Sequence, residues 1–298
     1  MNNKLVRGVS AAVLTPRLAD GNVDAPSLRK LLAFLQSKGI SSFALNGATG
    51  EFCITTPAQL RTLLATAKEA AGDSAQFLCG VGGADSAQSM LLARIAEDAG
   101  VKGLLLPMPY FFPYQQGDLE QFCRSVAASV SIPVLLYNLP QFTSGLQKET
   151  VRTLISEVPN IIGIKDSSGS LEILRHLTEH GVDACRIVGD DSVLSAALST
   201  EVCDGVISGV ACVVPELILG LYAREKHVES AEFSTYARVL DQFVEQLSAF
   251  PTPWGLKWIA QARAILEPTF PLPLSPARAA QGKRLELWFQ SWFSNQAL

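Results

Sequence analysis

The residue best suited to covalent chemistry is Lys165, which directly follows the apolar run Ile161-Ile162-Gly163-Ile164. A lysine at the end of such a run is expected in an apolar environment, where desolvation disfavours the ammonium form. The neutral amine can attack a ketone and form a Schiff base. The alternative is a buried lysine that pairs with an acid, and Asp166 is the adjacent candidate. The residues alone leave both interpretations open.

Tyr137 ends another short apolar run, and a phenol beside a forming carbinolamine can relay protons to and from the substrate. The alternative is an aromatic residue that packs at the end of a strand.

The segment Gly47-Ala48-Thr49-Gly50 offers backbone N–H groups and a hydroxyl, which can hold a carboxylate without a cationic side chain. An ordinary turn is the alternative there.

These residues would be positioned by short β-type runs that alternate with segments of helical periodicity. The predicted strands are Val9–Leu14, Ser42–Leu45, Phe77–Val81, Gly103–Leu106, Val134–Tyr137, Ile161–Ile164, Arg186–Val188 and Gly205–Ile207. The alternation indicates a parallel sheet, and eight strands are the number that closes a (β/α)8 TIM barrel. A doubly wound open sheet is the alternative. In a barrel, Lys165 and Tyr137 would lie at the carboxyl ends of neighbouring strands, where active sites form.

Asp118 and Ser170 are predicted to begin two of the helices, because such residues cap helix N-termini. After Pro215 the pattern changes to four helical segments, at about 215–227, 230–249, 253–266 and 276–295. Four tryptophans occur there at spacings typical of packing faces. We therefore predict a barrel catalytic domain over residues 1–225 and a C-terminal helical extension, residues 226–298, that packs on it.

The composition argues against several classes of partner. Charged residues make up 17% of the 298 residues and the formal net charge is -4, without a block of like charges. Neither nucleic acid nor a membrane surface is therefore an expected partner. No signal peptide pattern and no apolar run of roughly 18 residues occurs. The six cysteines form no C-x-x-C pair, so we expect reduced thiols and a cytoplasmic protein.

Motifs for metals and nucleotides are weak. His176 and His180 are four residues apart, but no H-E-x-x-H motif accompanies them, so no metal site is predicted. Gly80-Val81-Gly82-Gly83 is not a complete dinucleotide-binding fingerprint, and no G-x-S-x-G nucleophile motif is present.

Taken together, the strand ends resemble those of the dihydrodipicolinate synthase/N-acetylneuraminate lyase family of class I aldolases. The similarity runs from Gly8 to about Pro215. The matching segments are Gly47-Ala48-Thr49-Gly50-Glu51, Tyr137-Asn138-Leu139-Pro140, Gly163-Ile164-Lys165-Asp166, Gly189-Asp190-Asp191 and Gly205-Val206-Ile207-Ser208. Each segment is weak alone, but their order and spacing agree with the family.

The resemblance implies a pyruvate-dependent lyase with Lys165 as the Schiff-base lysine and Tyr137 as the proton-transfer residue. Ala48 and Thr49 would hold the carboxylate of a 2-oxo acid through their backbone N–H groups and the Thr49 hydroxyl, and Thr49 is also a catalytic candidate. The further substrate-binding candidates are Ile207, Gly189, Asp191, Phe142 and Tyr110. The resemblance also implies a homotetramer or homodimer, a small 2-oxo acid as partner, and no metal or organic cofactor.

Three departures from the synthases bear on the substrate. The synthases carry a hydroxyl residue where this chain has Ala48, a partner-subunit tyrosine where it has Phe111, and an arginine where it has Phe142. That arginine binds the carboxylate of aspartate semialdehyde, and losing such a buried ion pair should cost about 2–5 kcal/mol.

We therefore expect an aldolase or lyase for a 2-oxo-3-deoxy sugar acid or a related hydroxy 2-oxo acid. The alternatives are a dihydrodipicolinate synthase with a rebuilt second-substrate site and a 2-oxo-3-deoxy acid dehydratase. A non-catalytic 2-oxo acid binding protein is a further alternative.

Overall fold

In the computed structural model, which describes residues 5–296, eight parallel strands form a closed barrel in chain order. The first strand pairs with the last, so neither has a free edge. The strands are β1 (Gly8–Ala12), β2 (Ser42–Leu45), β3 (Gln76–Gly80), β4 (Gly103–Pro107), β5 (Val134–Asn138), β6 (Ile161–Asp166), β7 (Cys185–Val188) and β8 (Gly205–Ser208). The predicted (β/α)8 barrel is confirmed, and the open-sheet alternative is wrong.

One helix follows each strand and covers the outside of the barrel. These helices are α1 (Ala25–Ser37), α2 (Pro57–Ala71), α3 (Ser86–Asp98), α4 (Gln116–Ala127), α5 (Lys148–Glu157), α6 (Glu172–Glu179), α7 (Leu194–Ser199) and α8 (Pro215–Tyr222). Leu28, Leu31, Leu32 and Leu35 of α1 are fully buried, which is the stripe expected of a helix that packs on a sheet.

The two predicted caps lie close to helix starts but not at them. Helix α4 begins two residues before Asp118, whose carboxylate accepts a hydrogen bond from the Gln115 N–H at 3.0 Å. Helix α6 begins at Glu172, and the Ser170 hydroxyl accepts from the Glu172 N–H at 3.1 Å. Both side chains satisfy backbone groups near the helix N-terminus, but neither occupies the cap position itself.

A β-bulge in β6 determines which way Lys165 points. Val134 pairs with Ile161 and Leu135 with Gly163, so Ile162 is an extra residue in the ladder. Beyond this bulge, Tyr137 and Lys165 are directly paired, and both side chains point into the barrel. A Cβ on Gly163 would lie 2.1 Å from the Cys185 carbonyl oxygen, so the close approach of β6 and β7 requires glycine there.

Three further helices form the predicted C-terminal helical extension: α9 (Ala231–Leu247), α10 (Trp254–Ala262) and α11 (Pro276–Ser294). Phe243 of α9 is fully buried, and its ring centroid lies 5.3 Å from that of Trp292 on α11. The buried core of the extension is continuous with the layer between sheet and helices. The proposed boundary after residue 225 falls between α8 and α9 and remains a prediction.

Within residues 5–296, no helix has both the length and the apolar composition needed to cross a membrane.

Candidate active site

Lys165 and Tyr137 meet inside the carboxyl end of the barrel. Each is 2% exposed, and the Lys165 Nζ to Tyr137 Oη distance is 3.0 Å. The same ammonium nitrogen lies 4.2 Å from the centroid of the tyrosine ring. Since β5 and β6 hold the two residues in register, the amine and the phenol are aligned by the sheet rather than by a loop. The pair can exchange a proton directly.

The stem of Lys165 runs past Gly189, the residue after β7. A Cβ at this position would lie 2.7 Å from Lys165 Cε and 2.1 Å from the Ser167 hydroxyl oxygen. Real Cβ atoms do not approach other heavy atoms this closely, so glycine is required for the observed path of the lysine side chain. Because Gly189 has no Cβ, it leaves room for the side chain of Lys165.

Asp166 does not serve as the partner of Lys165. Its Oδ1 accepts hydrogen bonds from Asn138 Nδ2 and from the Ser168 N–H, both at 3.0 Å. Among the described residues, no ion pair joins Lys165 to Asp166. Burial raises the pKa of the Asp166 carboxyl, and the two hydrogen bonds oppose that shift. The interpretation of Asp166 as the ion-pair partner of Lys165 is therefore wrong.

The segment from Gly47 to Gly50 forms a compact turn between two left-handed residues, Asn46 with φ 52° and Glu51 with φ 57°. Asn46 donates from Nδ2 to the Gly80 carbonyl at 2.8 Å. Within residues 5–296, the N–H groups of Ala48 and Thr49 make no hydrogen bond. They are thus free to bind an anion, as oriented backbone amides do in other turns.

Asp191 lies near this turn at the start of a short 3-10 turn, Asp191–Val193. Its Oδ2 accepts from the Val210 N–H at 3.1 Å, whereas its buried Oδ1 has no hydrogen-bond partner among the described residues. Burial raises the pKa of this carboxyl to about 6, against the effect of the Ser208 hydroxyl and the Val210 amide. A Cβ on Gly209 would be 3.6 Å from Thr49 Oγ1 and 3.9 Å from Asp191 Oδ2.

A cavity of about 470 Å³ joins these groups at the mouth of the barrel. All the predicted site residues except Tyr110 line it: Lys165, Tyr137, Thr49, Ala48, Ile207, Gly189, Asp191 and Phe142. Tyr110 is half-buried, and its ring packs against that of Phe52 with centroids 6.0 Å apart. Lys165 is the one cationic side chain among the described residues that line the cavity.

Sequence reasoning missed part of the lining. The C-terminal helical extension supplies one wall, formed by Val244, Leu247, Ser248, Phe250, Pro251, Thr252, Pro253, Gly255 and Leu256. Gln141 and Ser167 also line the cavity. The extension was predicted to pack on the barrel, but helical periodicity does not indicate which end of the barrel a helix covers. The Pro-rich segment between α9 and α10 was the one available signal of an irregular, surface-shaping loop.

In the part of the chain that the structure describes, no three His, Cys, Asp or Glu side chains are grouped so that they could hold a metal ion. The rings of His176, on α6, and His180, just after α6, have centroids 4.1 Å apart and are tilted by 40°, and neither residue lines the cavity.

Comparison with known proteins identifies the family. The model of the dihydrodipicolinate synthetase family matches residues 5–290. The chain belongs to this family. The 4-hydroxy-tetrahydrodipicolinate synthase of Chlorobaculum parvum is 30% identical over 278 residues, which are 93% of this chain and 94% of that protein. The corresponding synthase of Bacillus subtilis is 30% identical and covers 94% and 96% of the two chains.

Solved structures of the dihydrodipicolinate synthetase family superpose closely on this fold. The chloride-inhibited dihydrodipicolinate synthase of Acinetobacter baumannii, complexed with pyruvate, has a TM-score of 0.89 at 25% identity, with 97% and 99% of the chains covered. A prophage protein of the family from E. coli K12, also in complex with pyruvate, has a TM-score of 0.88 at 26% identity and the same coverage. The protein is therefore a lyase of the pyruvate-dependent aldolase and synthase type.

Proposed function

We propose that this protein is a Schiff-base aldolase that cleaves a 2-oxo-3-deoxy sugar acid, or a related hydroxy 2-oxo acid, into pyruvate and an aldehyde. The observation that carries the proposal is the buried contact of 3.0 Å between Lys165 Nζ and Tyr137 Oη. A lysine amine held against a phenol in a cavity has both the nucleophile and the proton relay that imine formation needs.

The proposed reaction begins when the neutral Lys165 amine attacks the C2 ketone. Tyr137 delivers a proton to the C2 oxygen, which leaves as water and gives a protonated imine. This imine withdraws electrons from C3, so the C3–C4 bond can break as the C4 hydroxyl loses its proton through Tyr137. The electron pair of that bond becomes an enamine, which takes up a proton at C3. Hydrolysis of the imine then releases pyruvate and regenerates the amine, and no metal or organic cofactor is required.

The carboxylate of the 2-oxo acid would bind at the turn from Gly47 to Gly50. The free N–H groups of Ala48 and Thr49 and the Thr49 hydroxyl are donors of the required kind. Ile207 contributes an apolar surface to the lining of the cavity.

The residues that line the cavity favour a substrate whose aldehyde half carries no carboxylate. Phe142 is 55% exposed, and by the resemblance it corresponds to the arginine of the synthases; no second cationic side chain is found among the described lining residues. Instead, Asp191, Asp190, Gln141 and Ser167 offer acceptors and donors that suit the hydroxyl groups of a sugar acid.

A second candidate is 4-hydroxy-tetrahydrodipicolinate synthase, which is favoured by the names of the curated relatives at about 30% identity. It would require a site for the carboxylate of aspartate semialdehyde other than the missing arginine. A dehydratase of 2-oxo-3-deoxy acids would use the same imine. Family membership argues against the non-catalytic binding protein considered from the sequence.

The imine is tested by borohydride reduction in the presence of pyruvate, followed by intact mass and peptide mapping. A reduced pyruvyl adduct on Lys165 is expected in the wild type and in Lys102→Ala, whose lysine is exposed before β4. Lys165→Ala should form no adduct. A folded wild-type protein without an adduct would refute the proposed chemistry.

The substrate is tested by two parallel assays. Release of pyruvate from a panel of 2-oxo-3-deoxy sugar acids should proceed well above the rate of Lys165→Ala. Condensation of pyruvate with aspartate semialdehyde should not exceed background. The opposite pattern would favour the synthase, and loss of water without cleavage would favour the dehydratase.

A further inference from the structure

Beneath the turn that would hold the carboxylate lies a buried ion pair between the barrel and the C-terminal helical extension. Lys257 of α10 donates to Glu51 Oε1 at 2.9 Å, to Glu51 Oε2 at 2.8 Å, and to the Thr269 carbonyl at 2.7 Å. Lys257 is 3% exposed and Glu51 is 6% exposed. All three ammonium hydrogens are therefore used, and both carboxylate oxygens of Glu51 are held.

Glu51 is also the residue that ends the turn, and its backbone is left-handed with φ 57° and ψ 49°. Such a conformation is disfavoured for a residue with a Cβ and persists when the surroundings fix it. At the other end of the turn, Asn46 has a similar φ and is fixed by its bond to the Gly80 carbonyl. The turn is thus fastened at one end to β3 and at the other to α10.

Two hydrogen bonds of the turn depend on the backbone conformation of Glu51. The Glu51 N–H donates to the Ala48 carbonyl at 3.0 Å, and the Phe52 N–H donates to the Gly47 carbonyl at 3.2 Å. If the backbone of Glu51 relaxed to a right-handed conformation, these bonds would break. The free N–H groups of Ala48 and Thr49 would then lose their common direction.

The charges near Glu51 add a second effect. Arg17 is 7% exposed and donates to two neutral groups, the Thr55 hydroxyl at 2.7 Å and the Gly21 carbonyl at 3.1 Å. Arg17 and Lys257 together carry two positive charges against the single negative charge of Glu51. Because screening by water is weak at buried sites, both positive charges favour an anion at the neighbouring turn, whereas the Asp191 carboxylate, which also lies near the turn, opposes it.

We propose that Lys257 is a positioning residue for the 2-oxo acid carboxylate: its ion pair with Glu51 holds the turn so that the Ala48 and Thr49 amides face the substrate. Lys257 would thereby set the affinity of the enzyme for pyruvate although its side chain does not line the cavity. This inference rests on the proposed function for the identity of the ligand but not for the existence of the contact.

The first experiment compares Lys257→Met with Arg263→Met. Arg263 directly follows the same helix and forms a less buried ion pair with Glu216 at 2.8 Å, but it contacts α8 rather than the turn. Hydrogen–deuterium exchange without ligand should be faster in Lys257→Met over residues 51–55, where the amides of Glu51 and Phe52 bond to the turn and those of Ile54 and Thr55 bond to Glu51 and Phe52. Arg263→Met should leave this segment unchanged even though it also loses an ion pair between a helix of the barrel and the C-terminal helical extension.

The second experiment measures borohydride trapping of the Lys165 imine over a range of pyruvate concentrations. In Lys257→Met, the pyruvate concentration for half-maximal trapping should rise at least ten-fold, while the fraction trapped at saturation stays at the wild-type level. In Arg263→Met, neither quantity should change. A role of Lys257 in stability alone would lower the melting temperature of both variants and leave the concentration dependence of trapping unaltered.

Because Lys257→Met leaves a buried carboxylate unpaired and can impair folding, Glu51→Gln and the double variant complete the set. If Lys257 acts through Glu51, replacing it should change pyruvate affinity less than three-fold in the Glu51→Gln background. Equal ten-fold effects in both backgrounds would overturn the proposal, as would unchanged exchange of residues 51–55. A wild-type protein that traps no pyruvate would refute the proposed function, and the exchange data would then decide the role of Lys257.

Discussion

The carboxyl of Asp191 faces the cavity from a site with little access to water, and its pKa is raised to about 6, mainly by burial. The folded state therefore binds a proton at this group more readily than the unfolded state does. The stability that protonation gives is present below the usual pKa near 4 and is lost as the pH rises through about 6.

Asp191→Asn should accordingly raise the free energy of unfolding at pH 8, where the buried charge costs the wild type most. The difference between the two proteins should be on the order of 2 kcal/mol at pH 8 and should shrink as the pH falls toward 4. Urea unfolding of both proteins at several pH values measures it. A difference that does not depend on pH would contradict a raised pKa for Asp191.

The sequence predicted the location of the two main site residues but not which side chain contacts the amine of Lys165. The apolar run before Lys165 and the position of Tyr137 predicted two side chains at neighbouring strand ends, and the two are paired in register. The sequence did not resolve the choice between Asp166 and Tyr137 as the neighbour of the amine. That choice depends on the alternation of β6 after its bulge, which residue spacing alone does not reveal.

At the level of elements, the site depends on how closely β6 and β7 approach each other. Gly163 permits the approach at the bulge, and Gly189 leaves the space through which Lys165 reaches the cavity. At both positions, the path of the backbone is what requires a glycine. The sequence indicated Gly189 as a possible contact to substrate, whereas the structure gives it a steric role beside the lysine.

Gly189→Ala should displace the lysine side chain, because the added Cβ would lie 2.7 Å from Lys165 Cε. We expect a destabilisation of about 1–3 kcal/mol and at least a ten-fold lower rate of imine trapping with pyruvate. The matched control is Gly117→Ala, since a Cβ at this helical position meets no atom within 4 Å. A Gly189→Ala variant that traps pyruvate at the wild-type rate would exclude the steric role.

On the scale of the whole molecule, the exposed aromatic residues after β4 are relevant to assembly. Phe111 is 85% exposed and Phe112 is 60% exposed, and their ring centroids lie 4.9 Å apart. Phe111 also has a positive φ of 86°, which is uncommon for an aromatic residue. A solvated aromatic pair in this conformation suits a surface that another subunit covers.

We predict a homodimer or homotetramer that Phe111→Asp dissociates, because a charge would be placed in an apolar interface. Light scattering coupled to size-exclusion chromatography should show a smaller molar mass for this variant. Leu287→Asp, at a residue 67% exposed on α11, should keep the wild-type mass. Equal masses for Phe111→Asp and the wild type would exclude the predicted interface.

The sequence by itself determined the barrel and the C-terminal helical extension, and it indicated eight of the residues that line the cavity. These follow from local patterns: apolar runs, helical periodicity and reactive side chains where strands end. The tertiary structure alone decided that the extension closes the cavity with Leu247 and Phe250, and that Lys257 reaches Glu51, 206 residues away. Contacts at such separation depend on the packing of complete elements, and the spacing of residues along the chain carries no record of them.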